Sequence, residues 1–336
     1  MKQLRIGIVG MGIRGKLYAQ TLAQSPYAKL QAISDSSSKT LELSTKQFNV
    51  QGYTQVEEML DAEELDALIV ATPDYLHRNP VLTAARRGVH LLIEKPFSTS
   101  VEEAEEMVAV IEQAGVKCMI AFENRWNSPF VAVKEAIDNG EIGKIININS
   151  RLNDTIEVPT TMIKWSQNST PGWFLFPHSI DLALWLKQVK PTQVFAVGTK
   201  KKLIGMGIDT YDSIQAIMSF EDNTHATFTS SWVLPEHMPM IYDFKYEIIG
   251  EKGAFYVDLA EQMVRQVTDR YKHMHTLGTS INKQLTGAAS YMLHDFIDHL
   301  RLDRMPEASA REGLLNTRIV DAIHRSIEQG TVQYLS

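Results

Sequence analysis

Three glycines define the first chemistry available to this chain. Ile6-Gly7-Ile8-Val9 runs into Gly10-Met11-Gly12-Ile13-Arg14-Gly15, a G-x-G-x-x-G spacing that leaves an apolar strand and opens a helical segment. In that context each glycine has its own task. Gly10 permits a tight turn, Gly12 lets the backbone approach a pyrophosphate, and Gly15 allows the helix to pack closely. Ile13 and Arg14 lie in the same loop, where the unpaired N–H groups and dipole of a helix start favour phosphate oxygens. The next strand ends at Asp35, twenty residues beyond Gly15, where an acidic side chain takes the ribose hydroxyls of an adenosine. The pattern predicts NAD as cofactor. Ser36-Ser37-Ser38-Lys39, with three hydroxyls and a cation, leaves NADP open.

The elements that must hold this loop follow from hydropathy. Strand-like runs at 4–9, 30–34, 68–71, 90–93 and 117–122 alternate with helical spacing at 15–24, 40–48, 80–87 and 101–114. Continuous apolar strands separated by helices imply a parallel sheet covered on both faces. After residue 122 strands follow one another, at 143–151, 193–199, 213–220, 225–232, 242–249 and 254–259, with hairpin-type turns at 221–224 and 250–253. Helices are expected at 179–187, 288–302 and 311–328, and the polar stretch 153–172 reads as a loop bordering a site. The expected fold class is α/β. A Rossmann doubly wound parallel sheet occupies residues 1–122. An α+β domain for substrate binding and oligomerisation occupies 123–336, built on a largely antiparallel open-faced sheet. Its helices are too few to cover both faces, so a homodimer, or a homotetramer built from dimers, is expected.

Bulk properties narrow the partners. A chain of 336 residues exceeds what one core usually serves, which supports two domains. The net charge of -7 and the absence of any basic block longer than Lys200-Lys201-Lys202 argue against a nucleic-acid surface. The longest apolar runs are of strand length, so no membrane span is expected. Met1-Lys2-Gln3-Leu4-Arg5 enters a strand with no leader pattern, which together with a single cysteine points to the cytoplasm. That cysteine, Cys118, sits in the apolar run Cys118-Met119-Ile120-Ala121-Phe122 and reads as a buried structural thiol. No metal is expected. A small-molecule substrate remains.

Further motifs follow in order: Ala71-Thr72-Pro73-Asp74 with His77, Glu94-Lys95-Pro96, Phe122-Glu123-Asn124-Arg125-Trp126, His178-Ser179-Ile180-Asp181, and Tyr246 to Gly253. With the glycine loop, this series resembles the glucose-fructose oxidoreductase, inositol dehydrogenase and rhizopine-catabolism family (Gfo/Idh/MocA) over nearly the whole chain. The resemblance implies hydride transfer between a nicotinamide and a hydroxyl-bearing carbon of a sugar, cyclitol or derivative. It adds Thr72, Pro73, His77, Glu94 and Lys95 to the cofactor-binding set, with a cis Lys95-Pro96 bond. Lys95 would hold substrate hydroxyls and stabilise a developing alkoxide at the carboxyl edge of the sheet. His178 would be the proton shuttle at the start of a helix, with Asp181 one turn on to orient or pair with it. Arg125, Trp173, His178 and Asp181 would join Lys95 around the substrate. One departure stands out: many family dehydrogenases carry an Asp four residues before this histidine, and here Phe174 stands there, inside Gly172-Trp173-Phe174-Leu175-Phe176-Pro177. Trp173 or Phe174 would then belong to the core, or stack on a sugar face or the nicotinamide. The departure also keeps two other readings open: a catalytically silent NAD(P)-bound sensor, and an enzyme of glycosidase or epimerase type that uses NAD transiently.

The charge of Asp35 makes a direct prediction. A carboxylate against a 2′-phosphate is a like-charge contact, so NAD(H) should bind more tightly than NADP(H) when both are titrated by calorimetry. A preference of about tenfold for NADP(H), roughly 1.4 kcal/mol, would mean that Ser36, Ser37 and Lys39 dominate instead.

Overall fold

The apolar runs of the first half assemble as their continuity requires. The computed structural model describes residues 3–269 and 271–335, so Met1 and Lys2 of the N-terminal run lie outside the described residues. Strands β1 (Leu4–Val9), β2 (Ala28–Ser34), β3 (Gln51–Tyr53), β4 (Ala67–Val70), β5 (His90–Ile93) and β6 (Cys118–Ile120) form one sheet in the order β3-β2-β1-β4-β5-β6. Every pairing in it is parallel. Helices α1 (Ile13–Leu22), α2 (Ser38–Phe48), α3 (Val56–Ala62), α4 (Arg78–Arg86) and α5 (Val101–Ala114) alternate with them. Ile6, Ile8, Leu68, Ile69, Leu91 and Leu92 are wholly buried, as central strands covered on both faces must be. Strand order reverses beside β1, so the crevice at the carboxyl ends of β1 and β4 is where such sheets take ligands. β3 and α3 were not legible beforehand, because a three-residue strand shows no period.

Helix α6 (Ser128–Asp138) leads into a second sheet, of order β12-β11-β7-β10-β9-β8-β17. Its strands are β7 (Ile145–Thr155), β8 (Pro191–Thr199), β9 (Ser213–Phe220), β10 (His225–Leu234), β11 (Tyr242–Gly250), β12 (Ala254–Asp258) and, last in the chain, β17 (Gln333–Tyr334). All pairings are antiparallel except β7 with β10. Helix α7 (Pro171–Lys187) packs on β7, β9 and β10, which accounts for the buried Ile148, Phe228 and Met218 on one face. The other face stays open: Val197 is 52% and Tyr256 73% exposed. A short helix α8 (Lys202–Gly205) and two small hairpins, β13 (Arg265–Val267) with β14 (Tyr271–His273) and β15 (Ser280–Ile281) with β16 (Gln284–Leu285), precede α9 (Ala288–Arg301) and α10 (Ala310–Gln329).

Two expectations need correction. The chain divides into compact units made of Met1–Glu123 with Gly278–Thr317, and of Asn124–Leu277 with Arg318–Ser336, so a single boundary at 122/123 is incomplete. The returning segment brings α9 against α1, burying Met292, Leu293, Phe296 and Ile297. An amphipathic helix announces its apolar face but not which unit covers it. The second correction is the start of α7, eight residues before the expected 179. Pro177 reads as a helix stop but lies within this one. Thr170 caps the helix by accepting the Trp173 N–H at 3.0 Å, and Pro171 stands at the tolerated first position. The 153–172 stretch likewise gives up its first residues to β7. Cys118 is buried as expected, and burial pushes its thiol well above the ordinary range. Among the described residues no helix is long and apolar enough to cross a membrane.

Candidate functional site

The glycine loop has the shape a pyrophosphate needs. Gly10 adopts φ +89°, and a Cβ there would lie 2.5 Å from the Ala71 carbonyl oxygen, so β1 can turn beside β4 only with glycine. A Cβ on Gly15 would lie 2.0 Å from the Gly10 carbonyl oxygen, which forces the first turn of α1 against the loop. Gly12 differs. Nothing lies within 4 Å of its missing Cβ, and it starts α1 with no side-chain cap and no acidic residue in the first turn. A bare helix start facing open space fits a dinucleotide phosphate. Ile13 beside it is 67% exposed. At the end of β2 the Asp35 carboxylate accepts the N–H groups of Met11 and Ser37, each at 2.8 Å, and so is braced against the loop it serves. The Ser37 hydroxyl accepts the Thr40 N–H as the cap of α2.

A buried charge cluster adjoins this loop. Glu94 Oε1 accepts the Tyr18 hydroxyl at 2.6 Å and pairs with Arg14 Nε at 3.3 Å, while Oε2 accepts the Lys95 N–H at 3.2 Å. The Arg14 guanidinium also pairs with Glu123. Arg14 therefore contributes its backbone to the phosphate loop and its side chain to Glu94. Lys95, ahead of a cis bond to Pro96, is buried, and burial lowers its ammonium pKa although Glu94 and Glu123 oppose the shift. His77, expected at the cofactor, is buried instead. Its Nδ1 lies 2.9 Å from the Pro96 carbonyl oxygen and its Nε2 3.1 Å from that of Thr72, so it clamps the loop after β4 to the lysine turn. Thr72 and Pro73 remain half-buried in that loop.

The second group of residues gathers around α7. His178 lies inside the helix rather than at its start, half-buried, with Nδ1 3.2 Å from Asn124 Nδ2. Arg125 and Asp181, expected at the substrate, form a fork-shaped ion pair of 3.0 and 2.6 Å, with side chains only 5% and 3% exposed. Trp173 stacks on His324 at 5.1 Å and 8°. Phe174 stands edge-on between Trp165 and Trp232.

The family assignment follows from the extent of the match. Residues 4–122 match the GFO/IDH/MocA oxidoreductase family in its NAD-binding Rossmann fold, and residues 130–256 match that family's C-terminal domain. The chain belongs to the GFO/IDH/MocA oxidoreductase family. It is 25% identical to inositol 2-dehydrogenase of Rhizobium meliloti, over 97% of each chain. It is 28% identical to 2,7-anhydro-N-acetylneuraminate hydratase of Mediterraneibacter gnavus, over 78% of this chain and 69% of that one. Scyllo-inositol dehydrogenase from Lactobacillus casei, solved with NAD(H) and scyllo-inositol, superposes with a TM-score of 0.87 at 23% identity over 99% of each chain. As a GFO/IDH/MocA protein the chain is an NAD(P)-dependent oxidoreductase.

Tyr18 and His324 were given no role from the sequence, and Asn124 stood there only inside the motif around Arg125. Tyr18 left a signal of its own, since it stands four residues after Arg14 and so shares a helix face with it. Removing one partner of the Arg125–Asp181 pair leaves an uncompensated buried charge. Arg125→Ala should therefore lower stability by roughly 3–5 kcal/mol in denaturant titration. The double change Arg125→Met with Asp181→Leu should restore most of it. A loss below about 1 kcal/mol for the single change would mean the pair is dispensable for folding and free for substrate.

Proposed function

We propose that this family member oxidises a hydroxyl-bearing carbon of a sugar, cyclitol or derivative, with NAD as its cofactor. The reading is carried chiefly by Lys95, a buried cation at the end of the strand two places from the glycine loop. Bound NAD+ supplies the hydride acceptor. The work of the chain is then to hold the hydroxyl and manage its proton. Lys95 places a fixed positive charge where the oxygen gains electron density, and charge development at a buried site is where such a group counts most. His178 accepts the hydroxyl proton as the carbon loses hydride, its ring held by Asn124 at Nδ1. With Phe174 four residues ahead, that turn of α7 adds no carboxylate, and the proton falls to the imidazole. The single buried cysteine fits a cytoplasmic enzyme.

A second reading has one specific observation behind it. A hydratase makes no net redox change, and a relative of that name matches this chain. In that case NAD+ would be reduced and restored within a turnover. The purified protein with NAD+ and a panel of sugars and inositols separates the two. Accumulating NADH supports oxidation, and product formed without NADH supports transient use. Neither NADH nor product from any of them would sink the proposal.

Lys95→Ala and His178→Ala should each lower turnover by roughly 10²-fold or more. NAD+ affinity should change little in His178→Ala, since His178 is not among the expected cofactor-binding residues. Because burial lowers the Lys95 pKa, its ammonium is lost as pH rises through that lowered value. The alkaline fall in wild-type activity should therefore come below the ordinary lysine range, and Lys95→Ala should remove it. Near-normal turnover and an unchanged pH profile in His178→Ala would make the histidine structural.

The open face of the second sheet supports an isologous pair. Val197, Ile217, Ile249 and Tyr256 are exposed on strands whose other face is buried, and apolar sheet faces of this kind are usually covered by a second copy. Light scattering at about micromolar concentration should give a dimer or a tetramer. A monomer would rule this out.

A further inference from the structure

Ahead of His178, α7 carries a stretch without charge. No Asp, Glu, Lys or Arg occurs between Thr170 and Ile180. Phe174 precedes His178 by four residues, so the two side chains leave the helix on one side, a turn apart. Both are half-buried, so each keeps a surface that a ligand can touch. The Phe174 ring is held in place by its neighbours. It stands edge-on to Trp165 at 6.1 Å and 63°, and to Trp232 at 5.6 Å and 62°. Trp232, wholly buried on β10, fixes the base of this cluster. The helix start beneath it is equally constrained. His324 Nδ1–H donates to the Val320 carbonyl at 2.7 Å, Nε2 accepts the Thr170 hydroxyl at 2.7 Å, and the flat ring stacks on Trp173. Gly172 leaves room for that imidazole, since a Cβ there would lie 2.8 Å from it.

The geometry points to a substrate that lays a carbon surface, not a hydroxyl, against Phe174 beside the reacting carbon: a deoxy or N-acylated sugar in preference to a fully hydroxylated sugar or cyclitol. The inference rests on His178 as the proton acceptor of the proposed oxidation. A hydroxyl turned toward Phe174 would lose its water and find no hydrogen-bond partner in the ring. A C–H group or an acetyl methyl in the same position loses no hydrogen bond and gains dispersion contacts with a braced aromatic surface. Phe174 is then a specificity-determining residue, and selectivity against the hydroxyl is of the order of tenfold or more.

The test is calorimetric titration of the NAD+-saturated protein with glucose, 2-deoxyglucose, N-acetylglucosamine and myo-inositol, using wild type, Phe174→Leu and Phe174→Asp. In the wild type, 2-deoxyglucose or N-acetylglucosamine should bind about tenfold tighter than glucose, and which of the two leads separates a deoxy from an N-acyl substrate. Phe174→Leu should keep that order, and Phe174→Asp should erase or reverse it. NAD+ affinity should stay the same in all three, which confirms that the variants are folded. Glucose or myo-inositol binding as tightly as the other two, no sugar binding at all, or a ratio untouched by Phe174→Asp would each overturn the inference. If the preference is present but the bound sugar yields no NADH, the proposed oxidation falls and the assignment of Phe174 stands.

Discussion

Glu94 is a carboxylate with only 5% of its surface exposed, and much of the first unit's functional end is arranged to meet its charge. A buried charge left without partners costs several kcal/mol, so the groups around it are not optional. Tyr18 and Arg14 reach it from α1, and the backbone N–H of Lys95 reaches it from its own turn. One carboxylate thus holds down the helix that starts the phosphate loop and the lysine that follows β5. His77 repeats the arrangement with carbonyl oxygens, joining residue 72 to residue 96. Loop, helix start and lysine turn behave as one assembly, so the distance from phosphate site to Lys95 is set by the chain itself.

Close backbone approach sets the other half of this assembly. Gly10 and Gly15 are needed because carbonyl oxygens occupy the space their side chains would fill. Gly12 has the opposite surroundings, with nothing within 4 Å of where its Cβ would stand. The same motif therefore contains two close backbone approaches and one open position, which suits a pyrophosphate.

These differences explain what could be read from the sequence. The parallel sheet was legible because strands buried on both faces are continuous apolar runs, as in Leu68-Ile69-Val70. The glycine loop was legible because its demand is local and steric. The partners of the charged residues were not. Tyr18 meets Glu94 across 76 positions and Arg125 meets Asp181 across 56, and such pairings are chosen by packing that no local pattern records. For that reason the pairing of Arg125 with Asp181, both expected around the substrate, was not foreseen. The start of α7 was hidden by Pro177, whose local meaning as a stop is overridden by a capped helix packed on three strands.

Lys95 and His178 are held by opposite means, and the contrast fits their chemistry. Lys95 sits among carboxylates that favour its ammonium against the cost of burial, which suits the fixed charge proposed for it. In the proposed oxidation His178 would take a proton from the substrate and later give it up. Its Nδ1 faces an amide, that of Asn124, rather than a carboxylate. An amide has a donor and an acceptor end, and turning it over exchanges the two. With its oxygen toward the ring, Asn124 accepts Nδ1–H, the tautomer in which a neutral imidazole can take a proton at Nε2. On the same helix Asp181 pairs with Arg125, so its buried charge is met by a guanidinium.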